Sequence, residues 1–350
     1  MLESRTYIAT PPGATIKEQL EDRGMTQKEF AARMRMSEKH ASELINGKVH
    51  LTPDMAERLE LVLGLPASFW NGLEAIYQEK LAKVLRENEQ DQEKELVKKY
   101  PYNKLAEWGM VPVTRKAGER RNHLCKFFEV TSLWLVESRP LMPIACRKLA
   151  NTEKSFYSLL TLAQYAKIKA RDIETAPFAR EKLENCLDDI RALTRHSRMD
   201  FEDALIEIFR SCGIALVFLP QLPGSFLHGV TFYDNHKIVL GITMRGKYAD
   251  KFWFSLFHEI SHILCGHIYQ ADGVSTEDEA EADAMAAGLL LPQEPVDAFY
   301  EAGDFSIQAV QAFAAQTGVS VGIVIGRMQH DGVIPQHQYN QYKARYDSVA

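Results

Sequence analysis

His258-Glu259-Ile260-Ser261-His262 is the stretch from which the rest of the chain is read. Phe252-Trp253-Phe254-Ser255-Leu256-Phe257 precedes it and Ile263-Leu264-Cys265 follows, so the segment reads as a buried helix of about four turns. Residues four apart on a helix share a face. His258 and His262 therefore aim their imidazoles at one point, with Glu259 beside the first of them. Two neutral imidazoles, an adjacent carboxylate and an open position for water form the layout of a catalytic zinc site, with Glu259 as general base. The plainer reading is two core histidines with ordinary hydrogen bonds, since a buried pair needs partners in either case.

A tetrahedral zinc held this way still lacks one protein ligand. The candidates are Cys265, His267 and the acidic run Glu277-Asp278-Glu279-Ala280-Glu281-Ala282-Asp283. A metzincin pattern would require Gly at 265 and His at 268, where the chain has Cys265 and Ile268. The acidic run opens a second helix, expected from Thr276 to about Leu291 and stopped by Pro292; from Ala284 onward it is almost wholly apolar, so burial on most of its sides is expected. Glu279 and Asp283 share a face. One can bind a metal while the other hydrogen-bonds the free nitrogen of a ligand histidine. Thr276 and Glu279 also have capping-box spacing, which would account for Glu279 but not for Asp283. The residues alone put Glu279 ahead of Glu281 as third ligand and leave both open.

His258-Glu-Ile-Ser-His262, followed by Glu279-Ala-Glu-Ala-Asp283-Ala-Met-Ala-Ala-Gly-Leu-Leu-Leu-Pro292, resembles the ImmA/IrrE metallopeptidases. The flanks Val217-Phe-Leu-Pro220, Leu222-Pro223-Gly224, Lys237-Ile-Val-Leu240 and Gly326-Arg-Met-Gln-His330-Asp-Gly-Val-Ile334 extend the likeness over roughly residues 200–340. The resemblance implies a gluzincin-like metallopeptidase domain. Zn2+ would be held by His258, His262 and Glu279, with Asp283 behind a ligand histidine, Glu259 as the catalytic base and a protein as substrate. Asp283 stands where the family has Asn, and Leu291 where it has Met.

The first 80 residues carry a separate signal. Thr26-Gln27-Lys28-Glu29 opens one short helix running to about Met34, and Ser37 caps a second that stops at Asn46-Gly47. Two short helices joined by a tight turn form a helix-turn-helix. A helix from Thr15 to Arg23 precedes them, and Thr52-Pro53 starts another that Gly64 ends. Asn46-Gly47-Lys48, Thr52-Pro-Asp-Met-Ala-Glu-Arg-Leu59 and Phe69-Trp70 resemble HigA-type antitoxins of the Xre/Cro class. That resemblance implies a recognition helix at Glu38 to Ile45. Ala41, Leu44 and Ile45 would face inward, Lys39, His40 and Ser42 (with Glu43) the major groove, and Gln27 and Lys48 the phosphates. It also implies a homodimer on a palindromic DNA operator. Arg35 occupies a turn position usually given to Gly, where a left-handed backbone costs about 1 kcal/mol, and Ala41 stands where the recognition helix usually carries a β-branched residue. Residues 1–80 hold ten Lys/Arg against twelve Asp/Glu, so the electrostatic attraction for DNA is weak.

At 350 residues the chain has room for two or three domains. Its five cysteines, Cys125, Cys146, Cys186, Cys212 and Cys265, are scattered and form no C-x-x-C, which fits free thiols in a reducing cytoplasm. No membrane span and no signal segment are expected. Residues 98–126 carry net +6, a face that nucleic acid or an acidic partner would fit, although such runs are more often solvated; residues 201–300 carry net −9. Residues 66–99 read as one long polar helix, with further helices at 119–137, 153–169 and 178–195. Alternating β-branched and aromatic residues place strands at 214–219 and 229–242. A helix pair over Phe305–Gln316 and Ser320–Gln329 has helix-turn-helix spacing, but core packing is its reading.

The expected fold is α+β and mostly helical. A five-helix DNA-binding domain (1–80) and a helical linker with a helical subdomain (81–195) lead to a metallopeptidase domain (196–350) with a small sheet beside the H-E-x-x-H helix. The expected function is a transcriptional regulator of antitoxin type with a zinc endopeptidase domain acting on a regulatory protein, such as a repressor or cognate toxin. The rival is a non-catalytic repressor whose zincin fold serves as sensor or interaction platform.

Overall fold

The computed structural model describes residues 2–138, 153–222, 228–234, 236–244, 248–270 and 274–346. Cys146, Pro223 and Gly224 lie outside the described residues. The chain forms two compact units, Met1–Glu95 and Leu96–Ala350.

The first unit begins with a short antiparallel hairpin, β1 (Leu2–Glu3) and β2 (Ile8–Ala9), that the sequence did not announce. Helices α1 (Pro12–Asp22), α2 (Gln27–Arg33), α3 (Glu38–Ile45), α4 (Pro53–Leu63) and α5 (Ala67–Gln92) follow. The first helix starts three residues earlier than expected, with Pro12 in its first turn, where a missing N–H costs nothing. Thr26, Ser37 and Thr52 each accept a backbone N–H as N-caps. Arg35 adopts φ 55°, the left-handed turn that its position demanded. Gly13 lets α1 approach α3 closely: a Cβ there would stand 2.6 Å from Ile45 Cα. The core holds Ile16, Phe30, Met34, Ala41, Leu44, Leu59 and Trp70. Ile45, expected inside, is only half-buried at its edge.

The unit ends at Glu95 rather than at residue 80, because α5 runs on unbroken and Glu87 holds the hairpin to it. The Glu87 carboxylate accepts from Ser4 Oγ at 2.6 Å, Thr6 N at 2.9 Å and Thr6 Oγ1 at 2.7 Å.

The helix expected over 66–99 breaks at Glu93, and α6 (Lys94–Lys99) turns Leu96 and Val97 into a core with Tyr100 and Tyr102. After α7 (Tyr102–Glu107), the helix expected over 119–137 appears as α8 (Ala117–Phe128) and α9 (Trp134–Ser138). A left-handed Glu129 at φ 59° separates them, and the bend buries Leu133 and Val136 in the same core. Next come α10 (Glu153–Ala170), α11 (Arg180–Asn185), α12 (Leu187–Ala192) and α13 (Arg198–Ser211).

A three-stranded sheet follows, of β3 (Ile214–Leu219), β4 (Gly229–Asp234) and β5 (Lys237–Thr243) in the order β3-β5-β4. β3 runs parallel to β5, and β4 antiparallel to it. Both faces are covered, which is why the strands read as near-continuous apolar runs. Leu159, Leu162, Ala163 and Ala166 of α10 pack on Val217, Val230 and Val239. Phe201 and Phe209 of α13, with Trp253, Phe257 and Ile260 of α14 (Ala249–Leu264), pack on the other face against Leu216, Leu240 and Ile242. β4 is an edge strand among the described residues, and it lies beside α14.

The last elements are α15 (Thr276–Leu290), α16 (Gln293–Ala302), α17 (Ile307–Thr317) and α18 (Val321–His330). The pair α17 and α18 is bent by 112° and buries Val310, Phe313, Val324 and Met328 in the main core. Among the described residues no single helix is long and apolar enough to cross a membrane.

Candidate metal centre and helix-turn-helix

His258 and His262 stand one turn apart on α14, and α15 packs against that face. The Ser275 hydroxyl, one residue before the expected cap, accepts from Asp278 N, and the Asp278 carboxylate accepts from Ser275 N. Glu279 is thus not the capping residue, and its side chain turns toward the histidines. His258 Nε2 lies 3.0 Å from His262 Nε2 and 3.3 Å from Glu279 Oε2, and His262 Nε2 lies 3.7 Å from Glu279 Oε1. Nitrogen and oxygen ligands about 2.0–2.1 Å from one tetrahedral zinc sit roughly 3.3 Å from each other. Glu279 Oε1 is buried and accepts no hydrogen bond among the described residues. Such an atom is costly unless a cation meets it, so the donor set fits the group that the sequence called for.

Behind this triad, His258 Nδ1 is 2.8 Å from Asp283 Oδ1, and His262 Nδ1 is 2.9 Å from His267 Nδ1. His267, itself a candidate ligand by sequence, stands behind His262. Gly266 makes this possible by ending α14 in a left-handed turn at φ 79°. Burial alone would lower the His258 imidazole, but the carboxylates of Asp283, Glu279 and Glu259 push it up to about 10. Burial would likewise raise Glu279, and the two imidazoles bring it down to about 2. The carboxylates of Asp283, Glu279 and Glu259 around the point of convergence favour a cation there.

Glu259 is 2% exposed and faces β4. The Thr231 hydroxyl donates to its Oε2, and Gly229 leaves room for it: a Cβ at Gly229 would stand 2.6 Å from Glu259 Cδ. Neither residue was singled out in the sequence. Strand alternation puts Gly229 and Thr231 on one face, but nothing local says that Glu259 lies opposite. A cleft of about 830 Å³ opens over His258, Glu259 and Glu279, with Tyr248, Phe254 and Arg327 in its walls.

In the first unit, α3 carries the candidate DNA contacts. Lys39 is exposed, with Glu43 3.9 Å away, and His40 and Ser42 are half-buried. Ser42 O accepts from Asn46 Nδ2 at 2.7 Å. Gly47 at φ 67° closes the helix: Lys48 N reaches Glu43 O at 2.8 Å and Gly47 N reaches Leu44 O at 3.1 Å, a Schellman pair that leaves the Lys48 side chain exposed. Gln27, exposed at the start of α2, lies 3.5 Å from Glu38 O through Nε2.

A family model described as helix-turn-helix matches residues 16–70. A relative from Escherichia coli (strain K12), the uncharacterized HTH-type transcriptional regulator YddM, is 38% identical over 63 residues, which make up 18% of this chain and 67% of that protein. The chain belongs to the helix-turn-helix family through this segment, and its N-terminal unit is a DNA-binding domain of transcriptional-regulator type.

Proposed function

We propose that this chain couples operator binding by its first unit to zinc-dependent endopeptidase activity in its second, of the ImmA/IrrE kind, acting on a regulatory protein or a cognate toxin. The observation that carries the reading is the convergence of His258 Nε2, His262 Nε2 and the orphaned Glu279 oxygen beside Glu259.

His258, His262 and Glu279 would hold the zinc, while Asp283 and His267 fix the two imidazoles through their Nδ1 atoms. A bound zinc supplies Lewis acidity, polarising a peptide carbonyl and acidifying water. The Glu259 carboxylate, held by Thr231, takes the proton of the attacking water and returns it to the nitrogen of the leaving amine. An extended peptide can lie along β4, whose edge borders the cleft side of α14.

In the first unit, α3 would enter the major groove with Lys39, His40 and Ser42, while Gln27 and Lys48 meet phosphates. One helix-turn-helix reads one half-site, so a homodimer on a palindrome is the expected form.

The test compares wild-type full chain with Glu259→Gln in a cell extract, labelling new protein N-termini. Cleavage products formed only by the wild type, with zinc content equal in both, support the reading. Identical termini with both proteins would leave the second unit as an interaction platform.

A further inference from the structure

A second donor cluster lies just beyond the first. Cys265, His267 and Glu281 each offer one ligand atom, and these atoms lie within 4.8 Å of one another. His267 is 4% exposed, and its Nε2 stands 3.4 Å from Glu281 Oε2 and 3.5 Å from Asp278 Oδ1. Cys265 Sγ is 3.7 Å from Met285 Sδ. The left-handed Gly266 reverses the chain and brings Cys265 and His267 to one side. Asp278, Glu281 and Met285 fall at helical spacing on one face of α15, while Glu279 and Asp283 occupy another. The two faces of α15 thus serve two clusters.

A plainer account makes His267 only an orienting partner of His262, with Nε2–H directed to Glu281 and Asp278. It explains the imidazole and the carboxylates; the Cys265 thiol, in contact with Met285 Sδ, converges on the same point. Thiolate, imidazole and carboxylate together suit a borderline-soft divalent cation rather than magnesium or calcium.

We propose that Cys265, His267 and Glu281, with Asp278 beside them, form a second site for a thiophilic divalent cation such as Zn2+. It is distinct from the one at His258, His262 and Glu279 but joined to it through the contact between the two histidines. Binding displaces the thiol proton of Cys265 and the proton on His267 Nε2, both to solvent.

The test is a cobalt titration of metal-free full chain, because only the second site offers a thiolate. A thiolate-to-cobalt charge-transfer band is expected with the second, weaker equivalent in wild type. It should persist in His258→Ala, vanish in Cys265→Ser and require at least tenfold more cobalt in Glu281→Ala, whose side chain is 62% exposed and whose loss the fold tolerates. Cys186→Ser serves as the control for an unrelated thiol. No such band in folded wild type, or an undiminished band in Cys265→Ser, overturns the proposal. Because His258→Ala removes the first centre, failure of that centre to bind metal is read separately.

Discussion

The Thr231 hydroxyl, on the edge strand β4, donates to the carboxylate of Glu259 on the H-E-x-x-H helix. The bond joins two parts of the chain 28 residues apart and holds the Glu259 carboxylate, which stands beside His258 on that helix. Thr231→Val should therefore retain bound zinc and KM while kcat falls about 10–100-fold. Thr231→Ser should recover most of the loss. Gly229→Ala, whose methyl would collide with Glu259, should lose activity with zinc retained. Full activity in Thr231→Val would remove Thr231 from the catalytic arrangement.

The same pocket predicts a pH dependence in the metal-free protein. Glu279 sits at about 2, below its ordinary 4.5, so its contribution to stability is present above 4.5 and is lost as pH falls toward 2. His258 sits at about 10, above its ordinary 6.5, so its contribution is present below 6.5 and is lost as pH rises toward 10. Thermal unfolding of metal-free protein should thus be most resistant between those ordinary values and weaken on both sides. Zinc requires a neutral His258, so its apparent affinity should rise roughly tenfold per pH unit around neutrality, with proton release. Calorimetry in two buffers of different ionisation enthalpy checks this; affinity independent of pH would contradict it.

DNA binding should separate by residue. Lys39→Ala or His40→Ala should reduce the preference for the chain's own promoter over scrambled DNA. Lys48→Ala should weaken both alike and make the salt dependence shallower by about one phosphate contact. Mobility shifts at two salt concentrations provide the measurement. With residues 1–80 carrying net −2, affinity should also be modest at physiological salt. Absence of any shift at micromolar protein would make the first unit a protein-interaction module.

What was legible in the sequence follows from distance along the chain. The caps at Thr26, Ser37 and Thr52, the stops at Gly47 and Gly64, and the left-handed turn at Arg35 are written in a few adjacent residues. The shared face of His258 and His262 is equally local. The breaks at Glu93 and Glu129 were not legible, because they are decided by burial of Leu96, Val97, Leu133 and Val136 in a core that the local pattern does not describe. The same holds for the hairpin bound by Glu87, for Thr231 and Gly229 against Glu259, and for the turn that sets His267 behind His262. The acidic run could be read as a helix start. Which of its carboxylates faces which histidine required the Ser275 cap, one residue away from the expected one.

The central claim is the metal centre at His258, His262 and Glu279, and zinc analysis in a Cys265→Ser background tests it most directly, since only that centre then remains. The account predicts one tightly held zinc per folded chain. Adding His262→Ala should abolish it, adding Glu279→Ala should weaken it by orders of magnitude, and adding Glu281→Ala should leave it unchanged. Folded Cys265→Ser protein that binds no zinc, or that loses zinc with Glu281→Ala and keeps it with Glu279→Ala, would contradict the account.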